Sequence, residues 1–273
     1  MTNPLRELHR FGQSPWYDSL RRAILLSGEL ARYVEDDGLT GLTTNPAIYH
    51  KAIAGGGNDY ASALARLLPR ADLDAKAIYE LLAIEDIRAA ADLLRPVYDR
   101  TQKRDGYVSL EVAPAVAHQA GATLDEARRL WRSLSRPNVF IKIPATPEGI
   151  TAIGKLLAEG ININVTLLFS RQAYARVAEA HLSALEERLA RGEDLTGVAS
   201  VASFFVSRVD TLLDARLEEL ARGATAPGVK ARAEALQGKI GIANAKMAYQ
   251  DYKRLFAGER WEKLAAKGAK PQR

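Results

Sequence analysis

The sequence has no cysteine at all, and only four of its 273 residues are histidine. Without cysteine there is no disulfide, no thiolate nucleophile and no cysteine-bound zinc. The histidines are scattered and form neither an HxxxH nor an HxH pair; they are His9, His50, His118 and His181. Because zinc ligands usually occur in clustered spacings, the pattern gives no support to a metal site, and we expect none.

Long apolar runs are also lacking. No run approaches the roughly 20 residues that a membrane helix needs, and the start, MTNPLRELHRFG, has no apolar segment of the signal-peptide type. We therefore expect a cytoplasmic protein with no membrane partner.

The net charge of +5 comes from 38 basic and 33 acidic residues that are interspersed. Nucleic-acid binders more often carry a concentrated basic stripe, so we expect no nucleic-acid partner.

Short apolar runs rich in β-branched residues alternate with long amphipathic stretches, a pattern typical of βαβ units around a parallel sheet. The predicted strands are 15–18, 41–45, 107–112, 139–143, 163–169 and 197–204. The predicted helices are 20–35, a stretch over 58–104 broken near residue 69 and capped by Asp72 or Asp74, 122–135, 147–159, 171–191, and 207–263 with breaks near Gly223 and Pro227. The run Gly55-Gly56-Gly57 lacks the Lys and Ser/Thr of a P-loop and is interpreted as a plain loop.

This layout predicts an α/β fold of the (β/α)₈ TIM-barrel type, in one domain over residues 1–273. Such a barrel needs eight strands, and the pattern supplies six. The last residues, LAAKGAKPQR, are polar and punctuated by Gly and Pro, so they are interpreted as the start of a loop. We therefore expect a barrel truncated after its sixth βα unit, with unpaired edges on strands one and six.

Polar residues occur on strands that should be almost wholly apolar. Most lie toward the C-terminal ends of the strands, where barrel enzymes build their active sites. Side chains two apart share one face of a strand. The resulting sets are Thr43 with Asn45, Ser109 with Glu111, Lys142 alone, Asn164 with Thr166, and Ser203 followed by Arg208.

Lys142 is the most informative of these residues because it interrupts the apolar run VFIKIP. Burial disfavours the charged form of an amine, and a neutral amine can attack a carbonyl to form a Schiff base. The alternative is a structural ion pair with Glu111. A lone strand lysine is more often an edge or snorkelling residue, but the accompanying Asn, Glu and Thr residues favour catalysis.

The two candidate carboxylates suggest proton transfer beside such an imine. Glu111 and Thr166 are suited to hold a water, and Asp18, near the end of the first strand, is suited to exchange the proton of a sugar hydroxyl. For Asp18 the alternative is a helix N-cap.

The remaining polar residues suit the binding of a phosphorylated sugar. Asn45 and Asn164 are suited to sugar hydroxyls, or alternatively to backbone groups at strand ends. Ser203 and Arg208 are suited to a phosphate, since guanidinium is a good phosphate partner. Taken alone, Arg208 would be interpreted as a surface charge on a helix.

Four segments together resemble transaldolase. They are LTTNPA from Leu42, VSLEV from Val108, FIKIPAT from Phe140 and ININVTLLFS from Ile161. The match runs from Trp16 to the C-terminus and is similar to the longer transaldolase subfamily, which is sometimes fused to a glucose-6-phosphate isomerase domain that this sequence does not include. The ordered set of motifs is highly specific.

The resemblance implies a cofactor-free (β/α)₈ barrel of the pentose phosphate pathway that acts on sugar phosphates. It implies transfer of a dihydroxyacetone unit from sedoheptulose 7-phosphate to glyceraldehyde 3-phosphate, with a homodimer as one assembly to test. It assigns the Schiff base to Lys142, acid–base catalysis to Asp18, the catalytic water to Glu111 with Thr166, sugar hydroxyls to Asn45 and Asn164, and phosphate to Ser203 and Arg208. Phe205 stands where related fructose-6-phosphate aldolases carry Tyr, which favours transfer over simple aldol cleavage.

The sequence departs from this family at one point. Family members continue past Pro271 into a seventh strand, a further phosphate-contacting region and an eighth strand. One alternative is therefore a catalytically impaired truncated barrel that binds sugar phosphates or serves as an interaction domain. Another is a different class I aldolase, such as a deoxyribose-phosphate type, against which the Asn-Pro after the second strand and the Glu on the third both argue.

Overall fold

The computed structural model describes residues 3–55 and 58–273, so Gly56 and Gly57 of the glycine run lie outside the described residues. The chain divides into two compact units. The N-terminal unit comprises the residues up to 116 together with 122–142, and the C-terminal unit comprises 117–121 and 143–273. The expectation of a single barrel domain stays a prediction.

Strands and helices alternate through the N-terminal unit. The elements are α1 (Pro4–Glu7), β1 (Trp16–Tyr17), α2 (Arg22–Leu26), α3 (Glu29–Asp36), β2 (Gly41–Thr43), α4 (Pro46–Ala54), α5 (Ala61–Leu67), α6 (Ala75–Arg100), β3 (Tyr107–Glu111), α7 (Ala120–Leu134) and β4 (Val139–Pro144). The first two residues of α7 and the last two of β4 belong to the C-terminal unit. The four strands pair in parallel in chain order.

Apolar burial and one glycine explain how these strands pack. Leu42, Val108 and Ile141 are fully buried, as expected for strands covered on both sides. Gly41 opens β2 directly beneath the ring of Trp16, and a Cβ at this position would lie 2.1 Å from that ring. Only glycine therefore allows β1 and β2 to approach so closely.

The helices of this unit differ from the sequence prediction in several places: α1 and α4 were not predicted, and the first predicted helix is divided. The single helix expected over 20–35 is broken into α2 and α3 at Gly28, whose φ of 73° is a left-handed conformation that glycine adopts readily. The break near residue 69 is confirmed, because α5 ends at Leu67 and α6 begins at Ala75. Asp74 caps α6, and its side chain accepts a hydrogen bond from the Ala77 amide at 2.7 Å.

The C-terminal unit continues the same alternation before it becomes wholly helical. Its elements are α8 (Pro147–Ala158), β5 (Ile163–Leu168), α9 (Arg171–Ala190), β6 (Ser200–Phe204), α10 (Ser207–Gly223), α11 (Val229–Leu236), α12 (Ile240–Leu255) and α13 (Glu259–Ala265). Strands β5 and β6 pair in parallel, with an irregularity between Val165 and Leu168. The helical stretch after β6 and its break near Gly223 and Pro227 are confirmed, but two further breaks, after Leu236 and after Leu255, were not predicted.

The fold class is the one expected from the sequence. The described residues form an α/β fold with six parallel strands, each followed by helix, which is the arrangement of βα units in a TIM-type barrel. Among the residues that the structure describes, no helix has the length and apolar character to cross a membrane.

The residues after α13 form a loop, as expected, and the end of this loop packs along β6. The Arg273 amide donates to the Ser200 carbonyl at 3.2 Å, and the Ala202 amide donates to the Arg273 carbonyl at 2.6 Å. Gln272 is fully buried and its side-chain amide donates to the Ser200 hydroxyl at 2.8 Å. The expectation of an unpaired edge on the sixth strand is therefore wrong at Ser200 and Ala202, because backbone groups of Arg273 satisfy them.

His181 helps to hold this C-terminal segment. It lies fully buried on α9, and its Nε2 is 3.1 Å from the Lys270 carbonyl. Burial lowers the pKa of His181 from its ordinary value of 6.5 to about 4, although the bond to Lys270 acts in the opposite direction. The folded protein therefore keeps this imidazole neutral at a pH where the unfolded chain would already bind a proton.

We expect the free energy of unfolding to fall as the pH drops from 6.5 toward 4, since the unfolded state binds the extra proton in this range. The stabilisation from His181 is complete above pH 6.5, and the loss approaches about 3 kcal/mol at the lower end. Urea unfolding between pH 7.5 and 5 checks this. His181→Phe should flatten the dependence, whereas the exposed His50→Gln should leave it unchanged. An unchanged slope in His181→Phe would exclude this histidine as the cause.

Candidate active site

Lys142 is the centre of the polar set in the N-terminal unit. It lies on β4 and is 6% exposed. Its Nζ donates to the Thr44 carbonyl at 3.1 Å and to Thr43 Oγ1 at 3.4 Å, and it lies 3.6 Å from Glu111 Oε2. The strand register explains the last contact, because Glu111 stands opposite Lys142 in the β3–β4 pair. Of the polar residues singled out in the sequence, Thr43 and Glu111 lie beside the lysine.

The pair of Lys142 and Glu111 has opposite charges in a poorly solvated place. The Glu111 side chain is 13% exposed. Their separation of 3.6 Å exceeds the 2.7–2.9 Å of a short charge-assisted hydrogen bond. The carboxylate therefore provides electrostatic compensation for the ammonium without the geometry of a tight bidentate pair. This arrangement is the ion pair with Glu111 that the sequence offered as the structural alternative for Lys142.

Sequence reasoning missed the contribution of Thr44. Its side chain is fully buried and donates from Oγ1 to the Ser109 carbonyl at 2.8 Å. This bond fixes the end of β2 against β3, and so it orients the Thr44 carbonyl that accepts from Lys142. The sequence pattern assigns side chains to the two faces of each strand. It therefore could not predict that a backbone carbonyl accepts a hydrogen bond from Lys142.

Tyr79 of α6 is a neighbour of Glu111 that the sequence analysis did not predict. Burial, with the nearby charges of Glu111 and Glu80, raises the pKa of Tyr79 to about 12. Its ring packs edge-on against Tyr49, with the ring centroids 6.1 Å apart. The phenol therefore stays protonated at neutral pH and presents a neutral hydroxyl near the Glu111 carboxylate.

Asp18 and Asn45 lie just beyond the strands that were predicted to carry them. Asp18 directly follows β1 and is exposed. The N-cap of the next helix is Arg21, so the alternative role of Asp18 as that cap is wrong. Asn45 lies outside β2 and caps α4, where its Oδ1 accepts from the Ile48 amide at 3.0 Å. The backbone-binding alternative thus holds for the Asn45 oxygen, while its amide nitrogen is a donor.

In the C-terminal unit, Asn164 and Thr166 are both 1% exposed on β5. The Ser203 hydroxyl on β6 donates to Asn164 Oδ1 at 2.8 Å. This bond joins a residue predicted to bind sugar hydroxyls to one predicted to bind phosphate. The Thr166 carbonyl accepts from the Ala145 amide at 2.9 Å, which holds the chain just after β4 against β5.

Arg208 and Phe205 are in contact at the C-terminal end of β6. Arg208 is exposed in the first turn of α10, and its guanidinium carbon lies 4.8 Å from the centroid of the Phe205 ring. The N-cap of α10 is Val206, which has no side-chain oxygen to bind the first helical amides. The start of a helix with an arginine beside it favours an anion.

Each unit therefore brings together part of the predicted set. The N-terminal unit joins Lys142 to Glu111 and Thr43, and the C-terminal unit joins Asn164 to Ser203 and Phe205 to Arg208.

Comparison with known proteins gives these sets a family context. Residues 15–272 match the model of the family described as transaldolase/fructose-6-phosphate aldolase. A protein named Transaldolase 2 from Nostoc sp. is 49% identical over 272 residues, which cover 99% of this chain and 71% of that protein. A protein named Transaldolase from Trichodesmium erythraeum is 47% identical over 273 residues, covering 100% of this chain and 71% of the relative. With the family model matched over nearly the whole sequence, the chain belongs to the transaldolase/fructose-6-phosphate aldolase family.

Proposed function

We propose that this protein is a transaldolase that transfers a dihydroxyacetone unit from sedoheptulose 7-phosphate to glyceraldehyde 3-phosphate. The observation that carries the proposal is the buried Lys142 ammonium, held by the Thr44 carbonyl beside Glu111. Membership of the family and relatives named transaldolase support it.

The proposed reaction begins with nucleophilic attack on the ketose. The deprotonated Lys142 amine adds to the C2 carbonyl, and loss of water leaves an iminium ion. Asp18 removes the proton of the C4 hydroxyl, and the C3–C4 bond breaks. Its electron pair moves into the iminium to give an enamine, and erythrose 4-phosphate leaves.

The second half of the proposed reaction reverses these steps on the acceptor. The enamine carbon attacks the aldehyde carbon of glyceraldehyde 3-phosphate, and Asp18 returns its proton to the new hydroxyl. Water then adds to the iminium, and fructose 6-phosphate departs from the regenerated amine. We assign the placement of this water, and its proton transfers, to Glu111 with Thr166.

Substrate binding is assigned to the remaining predicted residues. Asn45 and Asn164 bind the hydroxyl groups of the sugar through their side-chain amides. Ser203 and Arg208 bind the phosphate, and the start of α10 adds backbone amides and a favourable dipole. Phe205 presents an apolar ring to the site, which favours transfer to a sugar acceptor over simple aldol cleavage.

Borohydride trapping with fructose 6-phosphate tests the proposal. The purified protein should gain a single dihydroxyacetone-derived adduct, which peptide mapping should locate on Lys142. Sorbitol 6-phosphate has no carbonyl, and it should give no adduct under the same conditions. A folded protein that gives no adduct would favour a sugar-phosphate-binding or interaction domain, and an adduct on another lysine would remove Lys142 from its role.

A further inference from the structure

Phe169 has no part in the function proposed so far, yet it lies against the residues that do. It directly follows β5 and remains 40% exposed, although it is a large apolar side chain. Its ring stacks on that of Phe205, with centroids 5.1 Å apart and an angle of 17° between the ring planes. The Arg208 guanidinium lies over the same Phe205 ring. The three side chains therefore form a connected stack, which we call the Phe169–Phe205–Arg208 stack.

The stack matters because an exposed arginine is otherwise free to rotate. Arg208 carries a long side chain with considerable rotamer entropy, part of which is lost when it binds a phosphate. Contact with an aromatic face restricts the guanidinium before the ligand arrives. Restricting a binding group in its bound conformation improves affinity by reducing this entropy loss.

The backbone that leads into Phe169 has an unusual conformation and is held by hydrogen bonds. Leu167, two residues earlier, has a φ of 59°, and the β5–β6 register is irregular between Val165 and Leu168. Such a conformation is unfavourable for leucine and persists only where its surroundings enforce it. Beyond it, the Asn244 side chain of α12 donates to the Phe169 carbonyl at 2.9 Å, and the Phe205 amide donates to the Leu168 carbonyl at 2.9 Å. These bonds secure the main chain on both sides of the stacked rings.

We propose that Phe169 is a positioning residue that, through Phe205, holds the Arg208 guanidinium in place for the substrate phosphate. The inference rests on the proposed function, in which Arg208 binds that phosphate. Phe169 acts on Arg208 through a ring stack, so any aromatic side chain at position 169 should preserve the effect, and an aliphatic one should lose it.

Calorimetric binding of inorganic phosphate tests the inference without requiring turnover. Phe169→Leu should bind phosphate about two- to fivefold more weakly, the scale of an exposed cation–π contact. Phe169→Tyr should bind as the wild type does, because its ring is retained and its hydroxyl can reach solvent. Asn244→Ala should weaken binding in the same direction and offers a second route should Phe169→Leu fail to fold. Circular dichroism of each variant provides the control for folding.

A double-mutant cycle with Arg208→Ala decides whether the effect passes through the arginine. Arg208→Ala should weaken phosphate binding strongly, and adding Phe169→Leu to it should cause no further loss. Losses that simply add, an unchanged affinity in Phe169→Leu, or equal weakening in Phe169→Tyr would each overturn the inference. Imine trapping on Lys142 reports the proposed function separately. Trapping by the wild-type protein, without coupling between positions 169 and 208, would reject only the role of Phe169. No trapping with full coupling would reject the transaldolase activity and leave the stack as an anion-binding device.

Discussion

Lys142→Ala should form no borohydride-stable adduct with fructose 6-phosphate and should lose turnover by a factor on the order of 10³ or more, the scale on which loss of a nucleophile acts. Alanine has no amine, so the iminium that accepts the electrons of the breaking C–C bond cannot form. Intact mass after borohydride treatment measures the first effect, and a coupled assay of fructose 6-phosphate formation measures the second.

The same substitution has a predictable effect on stability. It leaves the Glu111 carboxylate, 13% exposed, without the ammonium that lies 3.6 Å away. Removing one partner of a poorly solvated pair is unfavourable, so we expect a lower free energy of unfolding with a nearly unchanged circular dichroism spectrum. Adding Glu111→Gln should recover part of the lost stability but none of the adduct formation.

Lys155→Ala provides the matched control, because Lys155 lies exposed on α8. This variant should keep both the adduct and the stability of the wild type. An adduct that persists in Lys142→Ala, on any lysine, would contradict the assignment.

Asp86→Ala should lower the free energy of unfolding by about 3 kcal/mol, the range measured when one member of a buried ion pair is removed. Asp86 is 2% exposed on α6 and accepts from Arg22 Nε at 2.7 Å and from the Tyr60 hydroxyl at 2.8 Å. Alanine would leave the Arg22 guanidinium in a largely buried place, where the remaining carboxylate at 3.0 Å belongs to the more exposed Glu85. Urea unfolding of the variant at pH 7 measures the effect.

A surface pair supplies the control for this prediction. Asp92 and Arg136 are joined at 2.5 Å, but the Asp92 side chain is 56% exposed, so Asp92→Ala should change the free energy of unfolding by less than about 1 kcal/mol. If both variants lost the same free energy of unfolding, burial would not determine how much each ion pair contributes to stability.

We nevertheless expect that apolar residues can replace the pair of Arg22 and Asp86 when both are changed together. Burial raises the pKa of Asp86 although Tyr60 and Arg22 act in the opposite direction. The ionised carboxylate is thus less favourable here than in water, and its partners do not fully offset the loss of hydration. The double variant Arg22→Met with Asp86→Leu should therefore be more stable than Asp86→Ala.

The sequence by itself determined the strands and the position of the lysine. Alternation of apolar runs with amphipathic stretches placed all six strands, because burial requires apolar residues with a fixed period in each element. Lys142 was evident for the same reason, since a cation in VFIKIP conflicts with that requirement. The spacing of Glu111 and Thr43 followed from the two-residue period of a strand, and the structure brings both to the lysine.

Other contacts could be seen only in the tertiary structure, because the alternation of side chains along a strand does not predict them. The Thr44 carbonyl reaches Lys142 because a buried hydroxyl bond to Ser109 orients a backbone group, and no residue pattern encodes that direction. The contact of Arg208 with Phe205 turns an apparent surface charge into a held guanidinium, which depends on how a helix start packs on a strand end. The polar C-terminal segment lies along β6 because unpaired backbone groups at a sheet edge require partners, and Arg273 supplies them. Such contacts join distant parts of the chain, so their geometry follows from packing and not from local composition.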